Sequence, residues 1–258
     1  MYIAILLFLL GGGGLIVYHG IRTRSHIMIA IGSLVCVLTI FLFGILSFWG
    51  EMLWFEALGF GERFWEVVWW KAGLSVVGAV LGFGVITLLL LPLPGKHRNL
   101  RFLAQAVGLF IGISWGYSQW ETVLKFIYSA ETELTEPILN MDTGFYLFSL
   151  PFWNNLQNFV LSLSFIGILA AALSLFVRIT PREIDLQGLE NLPTGASDYR
   201  PLYLTAGVLL MIAAAGIFLA RYQLLFSATG IVTGPGWTDV HVKLPAYLVV
   251  CIAFFLLA

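Results

Sequence analysis

Between Asp142 and Arg178 lie thirty-five consecutive residues without a single Asp, Glu, Lys or Arg. A helix crosses the roughly 30 Å hydrocarbon core of a bilayer with about 20 residues, so this run is longer than one span requires. The reading divides it: Thr143 to Phe152, aromatic and carrying Pro151, lies at the membrane interface, and the span itself covers about Asn158 to Val177. A polar loop and a membrane crossing are thereby joined in one uncharged segment.

The whole chain is consistent with that. Its mean hydropathy is +0.94, with 60% hydrophobic and only 10% charged residues in 258 positions, whereas soluble domains carry about 25% charge. Seven apolar segments can be read: Ile3 to Tyr18, Ile27 to Trp49, Ala72 to Leu91, Phe102 to Trp120, Asn158 to Val177, Leu202 to Ala220 and Leu244 to Ala258. Backbone polar groups in hydrocarbon must be satisfied within the segment, so each reads as a helix. Strict alternation is absent, which disfavours a β-barrel. The predicted fold is all-α, a polytopic bundle of about seven spans with interfacial amphipathic helices in its outer loops, forming one transmembrane domain over 1–258.

Charge sets the expected orientation. Loops 19–26, 92–101 and 178–200 hold eight of the thirteen basic residues, and the opposite loops hold ten of the fourteen acids. Lys and Arg accumulate on the cytoplasmic side, which places the N-terminus outside. The chain is accordingly expected in a bacterial cytoplasmic (inner) membrane or an equivalent internal membrane. A net charge of −1 and the absence of a basic patch exclude a nucleic-acid partner. The expected partners are the lipid bilayer and other membrane protein subunits.

The outer loops hold the candidate functional residues. Gly50 to Lys71 mixes Trp54, Glu56, Glu62 and Arg63 with further Trp residues around Gly59 and Gly61, and reads as two short interfacial helices. An amphipathic continuation of the fourth span, with Glu121 and Lys125 at i and i+4, leads to an acidic stretch of Glu131, Glu133, Glu136 and Asp142. Its carboxylates could hold Ca²⁺, but the spacing is not that of an EF-hand, and a solvated loop is preferred. Phe145 and Tyr146 follow. Asp239 and His241, two apart after the turn residues Gly230, Gly234, Pro235 and Gly236, would share one side of a strand; two residues alone make a poor metal site.

Within the spans, Gly78 and Gly82 form one G-x-x-x-G, and Gly108, Gly112 and Gly116 form two overlapping ones, a spacing that brings helix backbones close. The run Gly11 to Gly14 reads as a flexible or closely packed stretch. No ionisable residue sits near a span centre and no span has an internal proline, which lowers the case for ion-coupled transport. Nucleophile elbows, zinc-protease motifs, phosphate loops and C-x-x-C are all missing, so no enzyme activity, catalytic residue or metal site is expected. His19, His26, His97 and His241 are single residues at span ends or in loops, indistinguishable by sequence from interfacial histidines, and the cofactor, if there is one, is unknown. Cys36 and Cys251 lie in apolar runs and read as packing residues.

Three ordered motifs, WFEALGFGERFW, DTGFYLFSLPF and TDVHVKLPAY, resemble the bacterial membrane proteins collected as uncharacterised protein family number 182. The resemblance covers about Ile27 to the end. It implies about seven N-terminal spans followed by a large extracytoplasmic domain, and no catalytic residue, because no activity is established for the family. Against that pattern the span Ile3 to Tyr18 is additional. The final segment has only fifteen residues, about 22 Å of helix, from which the chain is expected to be the front part of a longer polypeptide. The leading functional expectation is a scaffold or anchor for an extracytoplasmic domain or a larger membrane complex. The alternatives are a transporter or channel for a neutral or lipid-like substrate, and an accessory subunit of a photosynthetic or respiratory complex.

Overall fold

The computed structural model describes residues 2–93, 98–179, 196–227 and 234–258. Among them there is no strand, and seven helices are long and apolar enough to cross a membrane. In chain order they are α1 (Tyr2–Arg22), α2 (His26–Ala57), α3 (Gly61–Leu89), α4 (Arg98–Ile127), α5 (Leu150–Ile179), α6 (Ala196–Gln223) and α7 (Leu244–Leu257). Two compact units are formed, Met1–Trp69 and Trp70–Ala258.

In the first unit α1 and α2 make a hairpin. Arg24 takes a left-handed conformation, φ 54°, where α1 stops, and Ser25 caps α2 by accepting from the Met28 N–H at 3.5 Å. Of the four consecutive glycines only Gly13 faces α2: a methyl group there would strike Cys36 Sγ at 2.6 Å, while at Gly11, Gly12 and Gly14 it would meet nothing. Gly32 on α2 answers it, and a methyl there would lie 2.8 Å from Gly13 O. The glycine run is thus a contact at one position, with the other three open.

The segment from Gly50 to Lys71 corrects the sequence reading. It does not form two separate interfacial helices: α2 continues to Ala57 and α3 begins at Gly61, with a tight turn between. Gly59, at φ 78°, makes that turn, a backbone conformation that costs glycine little. The aromatic side chains pack locally, Phe64 buried with Phe48 and Phe55 at ring-centroid distances of 5.2 and 5.8 Å.

In the second unit α3 and α4 cross where both lack side chains. A methyl on Gly78 or Gly82 would run into the backbone of Gly112 or Gly108, and one on Gly116 into Leu74. Gln105 Nε2 donates to Thr87 Oγ1 at 2.9 Å across the same pair. In the turn that follows α3, the Arg101 guanidinium donates to the carbonyls of Leu90 and Leu93 at 2.5 and 3.1 Å, and the Leu90 carbonyl also accepts from the Leu93 N–H at 3.1 Å. The core is built from Ile86, Leu90, Leu93, Ala104, Phe159, Leu163, Ala170 and Ala171, from α3, α4, α5 and the turn after α3.

Two further corrections concern helix starts. The Phe145–Ser149 segment is not laid beside a span but is a π-helical turn running directly into α5. Asp239–Lys243 is likewise a π-helical turn leading into α7, so Asp239 and His241 do not share the face of a strand. Both turns end in Leu-Pro, Leu150–Pro151 and Leu244–Pro245. In each, the N–H of that leucine bonds five residues back, to Phe145 O or Asp239 O. Proline offers no N–H to the usual α-helical partner, and a widened turn accommodates the change of bonding. With this lead-in the last apolar helix spans 19 residues, Asp239–Leu257, about 28 Å at 1.5 Å per residue. Pro201 also departs from the reading, because it lies inside α6 rather than before it. The expected loop 178–200 lies mostly outside the described residues, as do Lys96, His97 and Gly230.

Candidate functional site

The candidate residues separate by unit. Trp54, Glu56, Glu62 and Arg63 belong to the first, where all four are exposed. Trp54 lies edge-on to Phe55, and Arg63 donates to Glu66 at 2.8 Å between two exposed side chains. Pairs of that kind contribute little.

Asp142, Phe145, Tyr146, Asp239 and His241 belong to the second unit, at the end where α4 and α6 finish and α5 and α7 begin. Asp142 is the organising group of the 128–144 segment. Its carboxylate accepts from Thr132 N at 3.2 Å, from Thr132 Oγ1 at 3.1 Å and from Gly144 N at 2.5 Å. Thr135 and Asp142 form an antiparallel bridge. Glu136 accepts from the N–H groups of Ile138 and Leu139 at 2.6 and 2.7 Å, closing the bend after Pro137. Of the four acids of this stretch, Asp142 and Glu136 are therefore engaged by the backbone, and Glu131 and Glu133 are exposed, as a solvated loop requires. No group of three or more His, Cys, Asp or Glu able to hold a metal occurs among the described residues.

Tyr146, buried, donates its hydroxyl toward Glu136 at 3.5 Å. Its ring and that of Phe145 meet Tyr222 at 6.3 and 5.1 Å, and Tyr146 also meets Phe226 at 6.1 Å. Tyr222 and Phe226 were not among the sequence candidates. They lie some seventy-five residues away in the chain, and only the packing of α5 on α6 brings them there. Arg221, beside them, stacks its guanidinium over Phe218 at 5.4 Å, with a buried Nε that has no partner among the described residues.

Asp239 is buried and accepts from Lys243 Nζ at 2.6 Å and from Gly236 N at 2.9 Å, which ties the turn to the start of α7. His241 points elsewhere. Its ring stacks on Trp237 at 4.6 Å, and its Nδ1 lies 3.0 Å from Trp237 O. The two residues thus do separate work and do not converge.

Two hollows enter the second unit between helices. One, of about 480 Å³, lies between α5, α6 and α7 and is lined by apolar groups such as Trp153, Val160, Met211, Phe218 and Phe255. Its polar member, Gln157, folds over Gly216 and donates to Ile212 O at 3.5 Å, and Cys251 on its wall donates to Ala214 O at 3.3 Å. The other, of about 320 Å³, lies between α4 and α5 and sets Ser114, Ser118, Asn155, Asn158 and Ser162 among apolar groups such as Phe110, Trp115 and Phe159. Gln105 lines neither, and neither joins the two ends of the bundle through its centre.

The profile of the Uncharacterised protein family (UPF0182) matches residues 93–258. A UPF0182 protein of Synechococcus sp. (strain JA-3-3Ab) is 31% identical over 201 residues, 78% of this chain and 23% of that protein. One of Trichodesmium erythraeum (strain IMS101) is 29% identical over 259 residues, 92% of this chain and 28% of that protein, so the likeness reaches into the first unit. One of Desulforamulus reducens is 36% identical over 145 residues, 56% of this chain and 15% of that protein. The chain spans about a quarter of the length of the first two. No solved structure matches it significantly. With the profile covering well over half of the chain, the sequence belongs to the Uncharacterised protein family UPF0182.

Proposed function

We propose that this chain is a non-enzymatic membrane module, one that anchors or scaffolds an extracytoplasmic domain or a larger membrane complex. It works in a bacterial cytoplasmic or equivalent internal membrane, with its N-terminus and the 128–144 and 234–243 segments on the extracytoplasmic face. The observation that carries the reading is the use made of the acids at that end. Asp142, Glu136 and Asp239 all accept hydrogen bonds that shape the loops from which helices start, which leaves a rigid aromatic platform rather than a set of free acid and base groups. The span of the relatives, roughly three and a half times that of this chain, supports it too. Charge supports the orientation, as Lys and Arg favour the cytoplasmic loops.

Purification from native membranes in mild detergent tests this. A stoichiometric protein partner, or a large extracytoplasmic domain carried with the bundle, is the expected result. A lone chain that moves a neutral solute across liposomes would overturn it and favour the transporter reading, for which the apolar hollow between α5, α6 and α7 is the supporting observation.

A further inference from the structure

The hollow between α4 and α5 carries a row of Ser and Asn side chains on an otherwise apolar wall. Ser114 and Ser118 stand one turn apart in the C-terminal half of α4, and Asn155, Asn158 and Ser162 stand on the N-terminal half of α5. The two antiparallel helices therefore line a groove that starts near mid-helix and runs about 10 Å toward the end bearing the 128–144 segment. Two of the five hydroxyls and amides have local partners: Ser118 donates to Trp115 O at 3.1 Å and Ser162 to Asn158 O at 2.8 Å. Ser114 and Asn158 are exposed and Asn155 is half-buried, and the side chains of the three form no hydrogen bond among the described residues; the Nε1 of Trp115, closed off from the surface, has no partner either. Trp115 is held by stacking on Phe159 at 4.8 Å, with an interplanar angle of 20°. Its ring is fixed by the core while its donor is unanswered.

An unpaired donor or amide facing hydrocarbon is unfavourable, because lipid tails offer no replacement for water. The groups here are all uncharged and include both donors and acceptors. No Lys or Arg lines the groove to neutralise a phosphate, and bringing a phosphate to this depth without a cation would leave a charge unpaired. The volume, about 320 Å³, is at the lower end of small-molecule sites. Phe110 and Ile111 on the wall suit an apolar body.

We infer that the groove between α4 and α5 binds an uncharged amphiphile, its hydroxyl- or carbonyl-bearing head against Ser114, Asn155 and Asn158 and its apolar tail in the bilayer. This does not rest on the scaffold reading, since an anchor and a transporter could equally hold such a ligand.

The test uses the full chain in detergent, titrated by native mass spectrometry with three probes: dioleoylglycerol, an isoprenoid naphthoquinone and dioleoyl-phosphatidylglycerol. One of the two neutral probes is expected to bind at least tenfold more tightly than the phosphatidylglycerol, and which one does so separates a hydroxyl head from a carbonyl head. Asn158→Leu is expected to weaken that probe at least tenfold. Ser114→Ala removes only an exposed hydroxyl of the groove wall and should weaken it about fivefold with an unchanged melting temperature, so it carries the test if Asn158→Leu fails to fold. Phosphatidylglycerol binding as well as both neutral probes, or Ser114→Ala retaining the neutral probe at full affinity, would overturn the proposal. So would a groove found covered by a second copy of the chain, recognised as a dimer that Asn158→Leu dissociates with no change in probe binding.

Discussion

At Gly112 a methyl group would meet the backbone of Gly78 and Ala79, whereas at Gly84, six residues beyond Gly78 on α3, it would meet nothing within 4 Å. Backbone cannot swing aside as a side-chain tip can, so Gly112→Ala should force α3 and α4 apart at a cost of about 1–3 kcal/mol. Gly84→Ala should be neutral or stabilise by up to about 1 kcal/mol, since alanine is the better helix former. Thermal unfolding of the two variants in one detergent would show the contrast; equal melting temperatures would contradict the close crossing. Asp142→Ala removes the acceptor of the Thr132 and Gly144 N–H groups and should cost about 1–3 kcal/mol, measurable in the same way. The G-x-x-x-G spacing is legible in the sequence because small residues at i and i+4 stand out in an apolar run. Which of Gly11 to Gly14 meets a partner is not legible, since four identical residues carry no phase. Thr132, Tyr222 and Phe226 were invisible for another reason: their contacts join distant parts of the chain, and nothing local marks them.

The existence of the seven helices could be read from apolar length alone, but their ends could not. A hydropathy window closes where charge appears, whereas α2 continues through Glu51 and Glu56; only for α4 does the i,i+4 pair Glu121–Lys125 mark the continuation, which runs to Ile127. The hydrogen-bond ladder is indifferent to which side chains face water. The α3 terminus shows what does end a helix here. Arg101 read as one more positive charge on a loop, yet it holds carbonyls of the turn that follows α3. Arg101→Met keeps much of the side chain's length and removes the donors, and should destabilise the α3–α4 pair by about 1–3 kcal/mol. Because the bonds are short and partly buried, the loss should persist in high salt. A loss that vanished there would indicate a charge effect only.

For the molecule as a whole, charge distribution predicts the topology that apolar length leaves open. In a chain with Cys36→Ala and Cys251→Ala, a cysteine placed at Ser129 should react with an impermeant thiol reagent in intact cells. One placed at Asn99 should react only after permeabilisation. Both positions are exposed, so the opposite pattern would reverse the proposed orientation rather than reflect burial.

The π turns before Leu150 and Leu244 can be viewed as one residue in excess of an α-helix. Deleting Phe148 would restore an unbroken α-helical count and rotate everything before it by about 100° relative to α5. Tyr146 would then swing out of line with Glu136 and Tyr222, and Asp142 away from Thr132, although the apolar span would be untouched. The helix would still cross the membrane, but its leading end would present a different face. The same angular offset precedes α7, so a single-residue change in either turn alters the aromatic platform without altering the spans beneath it.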